Sequence, residues 1–166
     1  MADQRAKHEK LLDLIELAYE IPDRAEMIAA LVNGLRGLVP CASAITMPVS
    51  ARGFELKMGA CFDASLDDMA RYLEYYAQLD PFVRNAPGPL QFNQTFRLSD
   101  VATSAELGRS EFSDFMRQVP YHYATGTLTA FAGQPVAVIG LHRHQHERDF
   151  SREEVEIMNQ IGRAHV

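Results

Sequence analysis

Tyrosine and aspartate side chains stand at helical spacing in one stretch of the sequence, where they could enclose a small molecule. Tyr72 and Tyr76 lie one helical turn apart, and Asp80 directly precedes Pro81. A tyrosine has an apolar ring with a polar tip, and an aspartate can accept a hydrogen bond from an amide or a hydroxyl. A structural interpretation stays open, because helical tyrosines commonly pack in a core and an aspartate before proline commonly caps the next helix.

Two threonines could complete such a pocket from another element. Thr127 and Thr129 are two residues apart on a predicted strand, so their side chains share one face and could offer hydroxyls. We therefore expect a ligand site lined by Tyr72, Tyr76, Asp80, Thr127 and Thr129. No catalytic residue and no cofactor is predicted, because the sequence lacks a phosphate-binding loop, a dinucleotide fingerprint, an HExxH motif and a GxSxG motif.

Three histidines and two cysteines form the other patterns that could do chemistry. His142, His144 and His146 alternate at a predicted strand end, where imidazoles on one face could share a transition metal. Interleaved arginines and the lack of a partner cluster favour a solvated strand end, so we predict no metal site. Cys41 and Cys61 could face each other across a hairpin, but no basic neighbour in sequence would activate them, which favours inert, buried thiols.

The composition is that of one packed domain. The chain has 166 residues, of which 47% are hydrophobic and 23% charged, and its formal net charge is −6. The length suffices for one core, and the acidic balance disfavours direct binding to DNA or to an anionic membrane. The polar N-terminus lacks a secretory signal and no apolar run is long enough to span a bilayer, so we expect a cytoplasmic protein.

Helical periodicity predicts elements at both ends of the chain and in its middle. Apolar residues at three- and four-residue intervals predict helices over 5–20 and from Asp23 to Pro40, and Ser151 caps a last helix. Ser65 opens a further helix that is expected to stop near Asp80. Its predicted core face comprises Leu66, Met69, Ala70, Leu73, Tyr76 and Ala77.

Alternating hydrophobicity predicts two hairpins. The first joins 41–49 to 54–62, and the second joins 125–131 to 136–142 through a turn at 133–135. Residues 87–99 are typical of a loop, and two short helices are expected around 100–107 and 109–118. This order indicates an α/β fold with antiparallel pairing, in which the terminal helices cover one sheet face and the inserted helices cover the other. The expected ligand pocket lies between the insertion and the sheet.

Four motifs follow one another in a recognisable order. They are Tyr72-x-x-x-Tyr76-x-x-x-Asp80-Pro81, the segment GRSEFSDFM at 108–116, a strand that ends in Leu141-His-Arg143, and the segment DFSREEV at 149–155. In this order they resemble the N-terminal sensor domain of LuxR-type bacterial transcription regulators, over roughly residues 10–166.

The resemblance implies a GAF/PAS-like fold, an α/β (α+β) domain whose antiparallel sheet of about five strands carries helices on both faces. It implies one ligand-sensing domain over 1–166, an unidentified small-molecule ligand, a homodimer through the terminal helices and no membrane partner. The chain stops inside the last sensor helix that the resemblance implies. The chain is therefore either a sensor domain excised from a longer regulator or a stand-alone relative, and the stop within a helix favours the first. We expect a helix-turn-helix domain beyond the chain end, and DNA binding only through that domain.

The quorum-sensing branch of the family bears on the ligand. There a tryptophan and a tyrosine precede an Asp-Pro pair whose aspartate holds the amide of an acyl-homoserine lactone. Tyr72 or Tyr76 and Asp80 match in kind, but this sequence has no tryptophan, so the lactone-ring contacts are not carried over.

The leading hypothesis is therefore a non-enzymatic, signal-sensing domain of a LuxR-type regulator. One alternative is a ligand-free dimerisation or partner-docking module, in which Phe112, Phe115 and Met116 pack the pocket shut. Another is an acyl-homoserine lactone receptor domain. Reduction of small sulfoxides, which some GAF-type domains perform, is disfavoured because Cys41 and Cys61 lack the glycine-cysteine context of those enzymes.

Overall fold

Two helices lead into the sheet in the computed structural model, which describes residues 2–50, 53–55, 60–85, 91–119 and 121–163. Helix α1 spans Ala2–Glu20 and α2 spans Arg24–Leu38, as the sequence predicts. The Asp23 carboxylate accepts a hydrogen bond from the Glu26 backbone amide at 2.8 Å, which caps α2 at its predicted start. Among the helices of the described ranges, none has both the length and the apolar character that crossing a membrane requires.

The sheet is antiparallel throughout. Its strands are β1 (Ser43–Ser50), β2 (Gly53–Phe54), β3 (Ala60–Phe62), β4 (Thr95–Arg97), β5 (Tyr123–Phe131) and β6 (Gln134–Arg143). Strands β2 and β3 both pair with the same edge of β1, so the order across the sheet is β2 and β3, then β1, β6, β5 and β4. The predicted fold class, with about five strand positions and helices on both faces, is confirmed. Residues 56–59 of the first predicted hairpin lie outside the described residues.

The turn of the second hairpin is one residue earlier than expected. Ala132 and Gly133 have φ angles of 48° and 74°, and Phe131 pairs directly with Gln134. Two consecutive positive φ angles are typical of the tight two-residue turn whose twist matches that of the strands. Pro135 therefore lies within β6, opposite Ala130 and next to a register shift, and not in the turn.

Short helices form the insertion between β3 and β5, and one helix closes the chain. They are α3 (Leu66–Glu74), a 3-10 helix (Tyr76–Leu79), α4 (Pro81–Arg84), α5 (Leu98–Val101), α6 (Ser104–Leu107), α7 (Glu111–Gln118) and α8 (Arg152–Arg163). Strand β4 corrects the loop prediction for 87–99. It is a three-residue edge strand, too short to show an alternating pattern.

The middle helix begins at Ser65 as predicted, but its course and part of its core face differ from the prediction. Helix α3 ends at Glu74, and the chain tightens into the 3-10 helix before Asp80. Leu66 is 57% exposed and Ala70 is exposed as well, whereas Met69 is buried and Tyr72 is partly buried. Leu73, Tyr76 and Ala77 of the predicted face are half-buried, so the prediction fails at Leu66 and Ala70, and the face toward the cavity includes Asp68 and Tyr72 instead.

The two faces of the sheet carry different cores. Helices α1, α2 and α8 pack on one face, where side chains of β1 and β6 such as Ala44, Ile139 and Leu141 complete the larger core. A smaller core, centred on Leu98 and Phe112, lies on the other face with the inserted helices. The predicted division of the helices between the two faces is confirmed.

A buried ion pair joins the end of β6 to α8. The Arg143 guanidinium contacts the Glu154 carboxylate at 2.8 Å, donates to the Pro40 carbonyl at 2.6 Å and lies 4.1 Å from the Phe150 ring centroid. The Glu154 carboxylate also accepts from the Ser151 backbone amide at 2.7 Å, and Ser151 Oγ accepts from the Glu154 amide at 3.2 Å. This reciprocal pair is the predicted capping box of α8.

Candidate functional site

The sheet face under the inserted helices has a floor with little side-chain volume at its centre. Residues that pair directly across antiparallel strands share a face, and one such row runs Ile45, Gly140, Gly126 and Phe96 over four strands. A β-carbon on Gly140 would lie 3.0 Å from Cγ1 of Ile45, so a larger residue there would have to displace the Ile45 side chain. A β-carbon on Gly126 would lie 3.5 Å from the Ile139 carbonyl oxygen, an ordinary contact. The two paired glycines therefore leave a shallow trough.

The inserted helices form a roof above this trough and enclose a cavity of about 530 Å³. Phe112, Phe115 and Met116 of α7 and Met69 of α3 line it from above. A cavity of this size, lined mainly by apolar side chains, is within the range that encloses small-molecule ligands. The three α7 side chains thus border the cavity and do not fill it.

Asp80 and Tyr72 form a hydrogen-bonded polar pair in the wall of the cavity. The Tyr72 hydroxyl donates to Asp80 Oδ2 at 2.6 Å, and the Phe82 backbone amide donates to Oδ1 at 2.8 Å, so Asp80 also caps α4. Asp80 is 6% exposed. Burial raises the pKa of Asp80, and the two hydrogen bonds oppose that effect only in part. Burial and the adjacent carboxyl raise the pKa of Tyr72, so its hydroxyl stays protonated and donates to Asp80.

The other predicted site residues lie differently around the cavity. Tyr76 stacks on Phe115 with ring centroids 4.3 Å apart, behind the residues that line the wall. Thr127 borders the cavity, but it pairs with Ile139 and bonds its hydroxyl to that of Thr95, which places its side chain on the α8 side of the sheet. Thr129 Oγ1 donates to the Ala137 carbonyl at 2.9 Å. Both threonine hydroxyls are thus engaged within the sheet, and ligand contact by the five residues stays a prediction.

His142 is a second polar side chain in the cavity lining. The sequence instead predicts that it lies at a solvated strand end. It follows Val138 and Gly140 on the cavity face of β6, and its Nδ1 lies 2.9 Å from Ser43 Oγ. Its ring stacks on Tyr121 with centroids 4.5 Å apart. Burial lowers the pKa of His142 to about 4, so the imidazole is neutral at physiological pH. The alternation of 138, 140 and 142 was the available signal.

The remaining histidines and the cysteines lie away from this arrangement. His144 and His146 stack on each other at 5.4 Å near the surface, and no group of three metal-ligating side chains occurs within the described ranges. Cys61 pairs with Ile45 and not with Cys41, and both are half-buried. Burial raises the pKa of both thiols, which disfavours thiolate chemistry.

Comparison with solved structures identifies the fold. The chain is similar to the N-acylhomoserine lactone dependent LuxR family transcription factor CepR2 of Burkholderia cenocepacia, with 11% identity over 97% of this chain and 95% of that one, at a TM-score of 0.67. It is similar to the VqsR LBD domain of Pseudomonas aeruginosa, with 15% identity over 94% and 95% of the two chains, at a TM-score of 0.60. A GAF domain/HD domain protein of Geobacter sulfurreducens matches at 17% identity over 86% and 89%, at a TM-score of 0.56.

These matches establish that the chain has the GAF-like fold of sensor and regulator domains, including LuxR-family domains over nearly their full length. The fold-level part of the resemblance seen in the sequence is confirmed. No protein-family model and no curated protein matches the sequence. At these identities the likeness is one of fold, and function has to be argued from the cavity.

Proposed function

We propose that this chain is a non-enzymatic, small-molecule-sensing domain of a LuxR-type transcription regulator. The observation that carries the proposal is the cavity of about 530 Å³ between the sheet and the inserted helices, with the buried Asp80 carboxyl in its wall. An apolar enclosure with few fixed polar groups suits an amphipathic ligand. Asp80 would accept a hydrogen bond from an N–H or O–H group of that ligand, and Tyr72 would orient the carboxyl.

Ligand binding would be transmitted through β6. Gly140 and His142 face the cavity, whereas Arg143 points to the other side and is paired with Glu154 of α8. A ligand that binds one arrangement of the roof and β6 more tightly than another would shift the packing of α8, and thereby bias an attached DNA-binding domain.

Mass spectrometry of the natively purified protein tests the proposal. A molecule that co-purifies in a stoichiometric amount and is released on denaturation is the expected result. Binding of the neutral fluorescent probe N-phenyl-1-naphthylamine gives a second measurement that requires no knowledge of the ligand. Finding neither a co-purified molecule nor saturable probe binding would refute the sensing function.

Two variants locate the site. Gly126→Ala adds one methyl group to the cavity floor at a position where the sheet accepts it, so we expect weaker probe binding with an unchanged unfolding midpoint. Asp80→Asn removes the carboxylate but keeps an oxygen for the Phe82 amide, and should weaken a donor-bearing ligand roughly tenfold. Tyr75→Phe is the matched control and should bind as the parent protein does, because Tyr75 is 45% exposed and lies outside the cavity lining.

Acyl-homoserine lactones form one arm of the ligand screen. CepR2, which shares the fold, is described as N-acylhomoserine lactone dependent. Their amide N–H could donate to Asp80, and their acyl chain could lie along the trough. The lack of tryptophan leaves the lactone ring without the partner that the quorum-sensing branch provides, so we propose a different amphipathic ligand ahead of this one.

A dimerisation role is the second candidate function, favoured by exposed apolar residues on α1. Leu12, Leu17 and Tyr19 are 51%, 45% and 71% exposed. We propose a homodimer through the terminal helices, and Leu12→Glu should shift sedimentation toward the monomer. Leu66→Glu, equally exposed on α3, is the control. A parent protein that sediments as a monomer at high concentration would contradict this role.

A further inference from the structure

A chain of hydrogen bonds leads from the cavity to the surface through His142. His142 Nδ1 lies 2.9 Å from Ser43 Oγ, and Ser43 is fully buried. Ser43 also lies within hydrogen-bonding reach of the Tyr121 hydroxyl. The Tyr121 hydroxyl in turn donates to the Asp63 backbone carbonyl at 3.2 Å. Four groups from four segments of the chain are therefore connected in series.

The carbonyl at the end of this chain sets the direction of every hydrogen bond in it. A carbonyl oxygen can only accept a hydrogen bond, so the Tyr121 hydroxyl donates its proton to the Asp63 carbonyl. The Tyr121 oxygen then accepts from the Ser43 hydroxyl, and Ser43 Oγ accepts from His142, which requires the proton on Nδ1. In a neutral imidazole with Nδ1 protonated, Nε2 carries a lone pair and is an acceptor.

This lone pair faces the cavity. Nε2 lies 3.8 Å from the position that a β-carbon would take on Gly140, a residue of the trough. Within the described part of the chain Nε2 has no hydrogen-bond partner. Because His142 lines the cavity and is only half-buried, a donor on a bound molecule can reach this atom and hydrogen-bond to it.

The rest of the lining fits the same kind of ligand. Its charged side chains among the described residues are Asp68 and Asp80, and neither lysine nor arginine contributes to it. The Tyr72 hydroxyl already donates its hydrogen bond to Asp80. Gln91 and Gln94, which carry amide donors, are exposed at the margin. The polar side chains of the cavity wall, Asp80 and His142, thus offer hydrogen-bond acceptors and no cation.

We propose that His142 Nε2 is a second ligand-binding acceptor, and that the cavity takes an uncharged or cationic amphiphile with two separate O–H or N–H donors, one for Asp80 and one for His142. The inference rests on the proposed sensing function for the existence of a ligand. It adds the class of ligand, and it disfavours carboxylates, phosphates and other anions, because the cavity lining offers no cation and burying an anion beside the Asp80 carboxyl is strongly unfavourable.

The tautomer of His142 tests the inference without any ligand. Two-dimensional NMR of the protein with ¹⁵N-labelled histidine should show Nδ1 protonated and Nε2 unprotonated at pH 7. Ser43→Ala removes the acceptor that holds the Nδ1 proton and should raise the fraction protonated at Nε2. A parent protein with Nε2 protonated would overturn the assignment, whatever binds in the cavity.

Competition against N-phenyl-1-naphthylamine tests the ligand class. We expect 1,8-octanediol to displace the probe at about one-fifth of the concentration needed for 8-methoxy-1-octanol, because the ether lacks the second donor. This difference should vanish in His142→Phe, which keeps an aromatic ring beside Tyr121. Where that variant does not fold, Ser43→Ala serves instead and should reduce the difference.

The outcomes separate the two proposals. Octanoate that competes better than 1-octanol, or a diol preference that persists in His142→Phe, would overturn the inference about ligand class. Lack of both a co-purified molecule and saturable probe binding would refute the sensing function itself, while the tautomer would still decide the state of His142.

Discussion

Two equally buried threonines of the sheet differ in whether their hydroxyl groups are hydrogen-bonded. Thr46 is 2% exposed in β1, and within the described residues its hydroxyl has no hydrogen-bond partner. Thr125 is buried to a similar degree in β5, but its hydroxyl donates to the Phe96 carbonyl at 2.9 Å. An unpaired buried polar group costs free energy that a paired one does not.

Thr46→Val should therefore stabilise the protein by about 1 kcal/mol, since valine has the shape of threonine without the hydroxyl. Urea unfolding followed by circular dichroism measures the change. Thr125→Val is the matched control and should destabilise by a similar amount, because it leaves the Phe96 carbonyl without its donor. Equal effects of the two substitutions would contradict this interpretation.

His142 predicts a pH dependence of stability. Its pKa is lowered to about 4 in the folded protein, against 6.5 for a free histidine, so the unfolded chain binds more protons between these values. Stability is therefore complete above about pH 7 and is lost as the pH falls, by about 2 kcal/mol at pH 5 from this group alone.

Urea midpoints of the parent protein and of His142→Phe, measured from pH 7 to pH 5, isolate this contribution. The variant should lose less stability on acidification than the parent does. Parallel curves would show that the imidazole accepts a proton in the folded state as easily as in the unfolded chain.

At the scale of elements, β6 holds the two halves of the domain together by alternation. His142 faces the cavity and Arg143 faces α8, although they are neighbours in sequence. The side chains of Arg143 and Glu154 are 4% and 9% exposed, so this ion pair is truly buried. Burial raises the pKa of Glu154, but hydrogen bonds from Arg143 and Ser151 outweigh that effect and hold it below its usual value.

Glu154→Gln should destabilise the protein by about 3 kcal/mol, because it leaves the Arg143 charge buried without a counterion. Glu156→Gln is the matched control on the same helix, since Glu156 pairs with Arg163 at the surface. That substitution should change stability by less than about 0.5 kcal/mol. Chemical unfolding of both variants would refute the structural role of the buried pair if their midpoints coincided.

Long amphipathic helices and hairpins were predictable because their periodicity is repeated several times. The capping residues Asp23, Ser65 and Ser151 marked helix starts that the structure confirms. Strand β4 was missed because three residues cannot express a period, and its pairing with β5 depends on tertiary contacts.

The candidate site was predictable only in part, for a related reason. The residue types and the spacing of Tyr72 and Asp80 were enough to predict that the two side chains lie together. Thr127 and Thr129 share a face as expected, but strand alternation alone does not tell which face looks toward the cavity. That information comes from the pairing of β5 with β6, which sets the threonines opposite Ile139 and Ala137 and the glycines opposite each other.

At the scale of the whole molecule, the two cores differ in how completely protein atoms fill them. The core under α1, α2 and α8 is the larger, whereas the core under the inserted helices borders the cavity. Regions with fewer buried apolar contacts open more easily than the rest of a domain.

Hydrogen exchange should accordingly divide the protein into two regions. We expect the amides of α3 and α7 to exchange faster than those of α2 and β6, and a saturating amount of N-phenyl-1-naphthylamine to slow exchange mainly in α3 and α7. Mass spectrometry of peptides after exchange measures this. Uniform protection by the probe would indicate instead that the domain opens as one unit.

The pairing of β1 with β6 has a consequence for how the protein folds. This pairing joins Ser43 to His142 and Met47 to Val138, segments that lie far apart along the chain. Contacts of such long sequence separation form slowly, because a large loop must close before any of them stabilises the structure. The floor of the cavity is therefore completed late in folding, after the local helices, and in refolding experiments the ability to bind should return with the slowest phase.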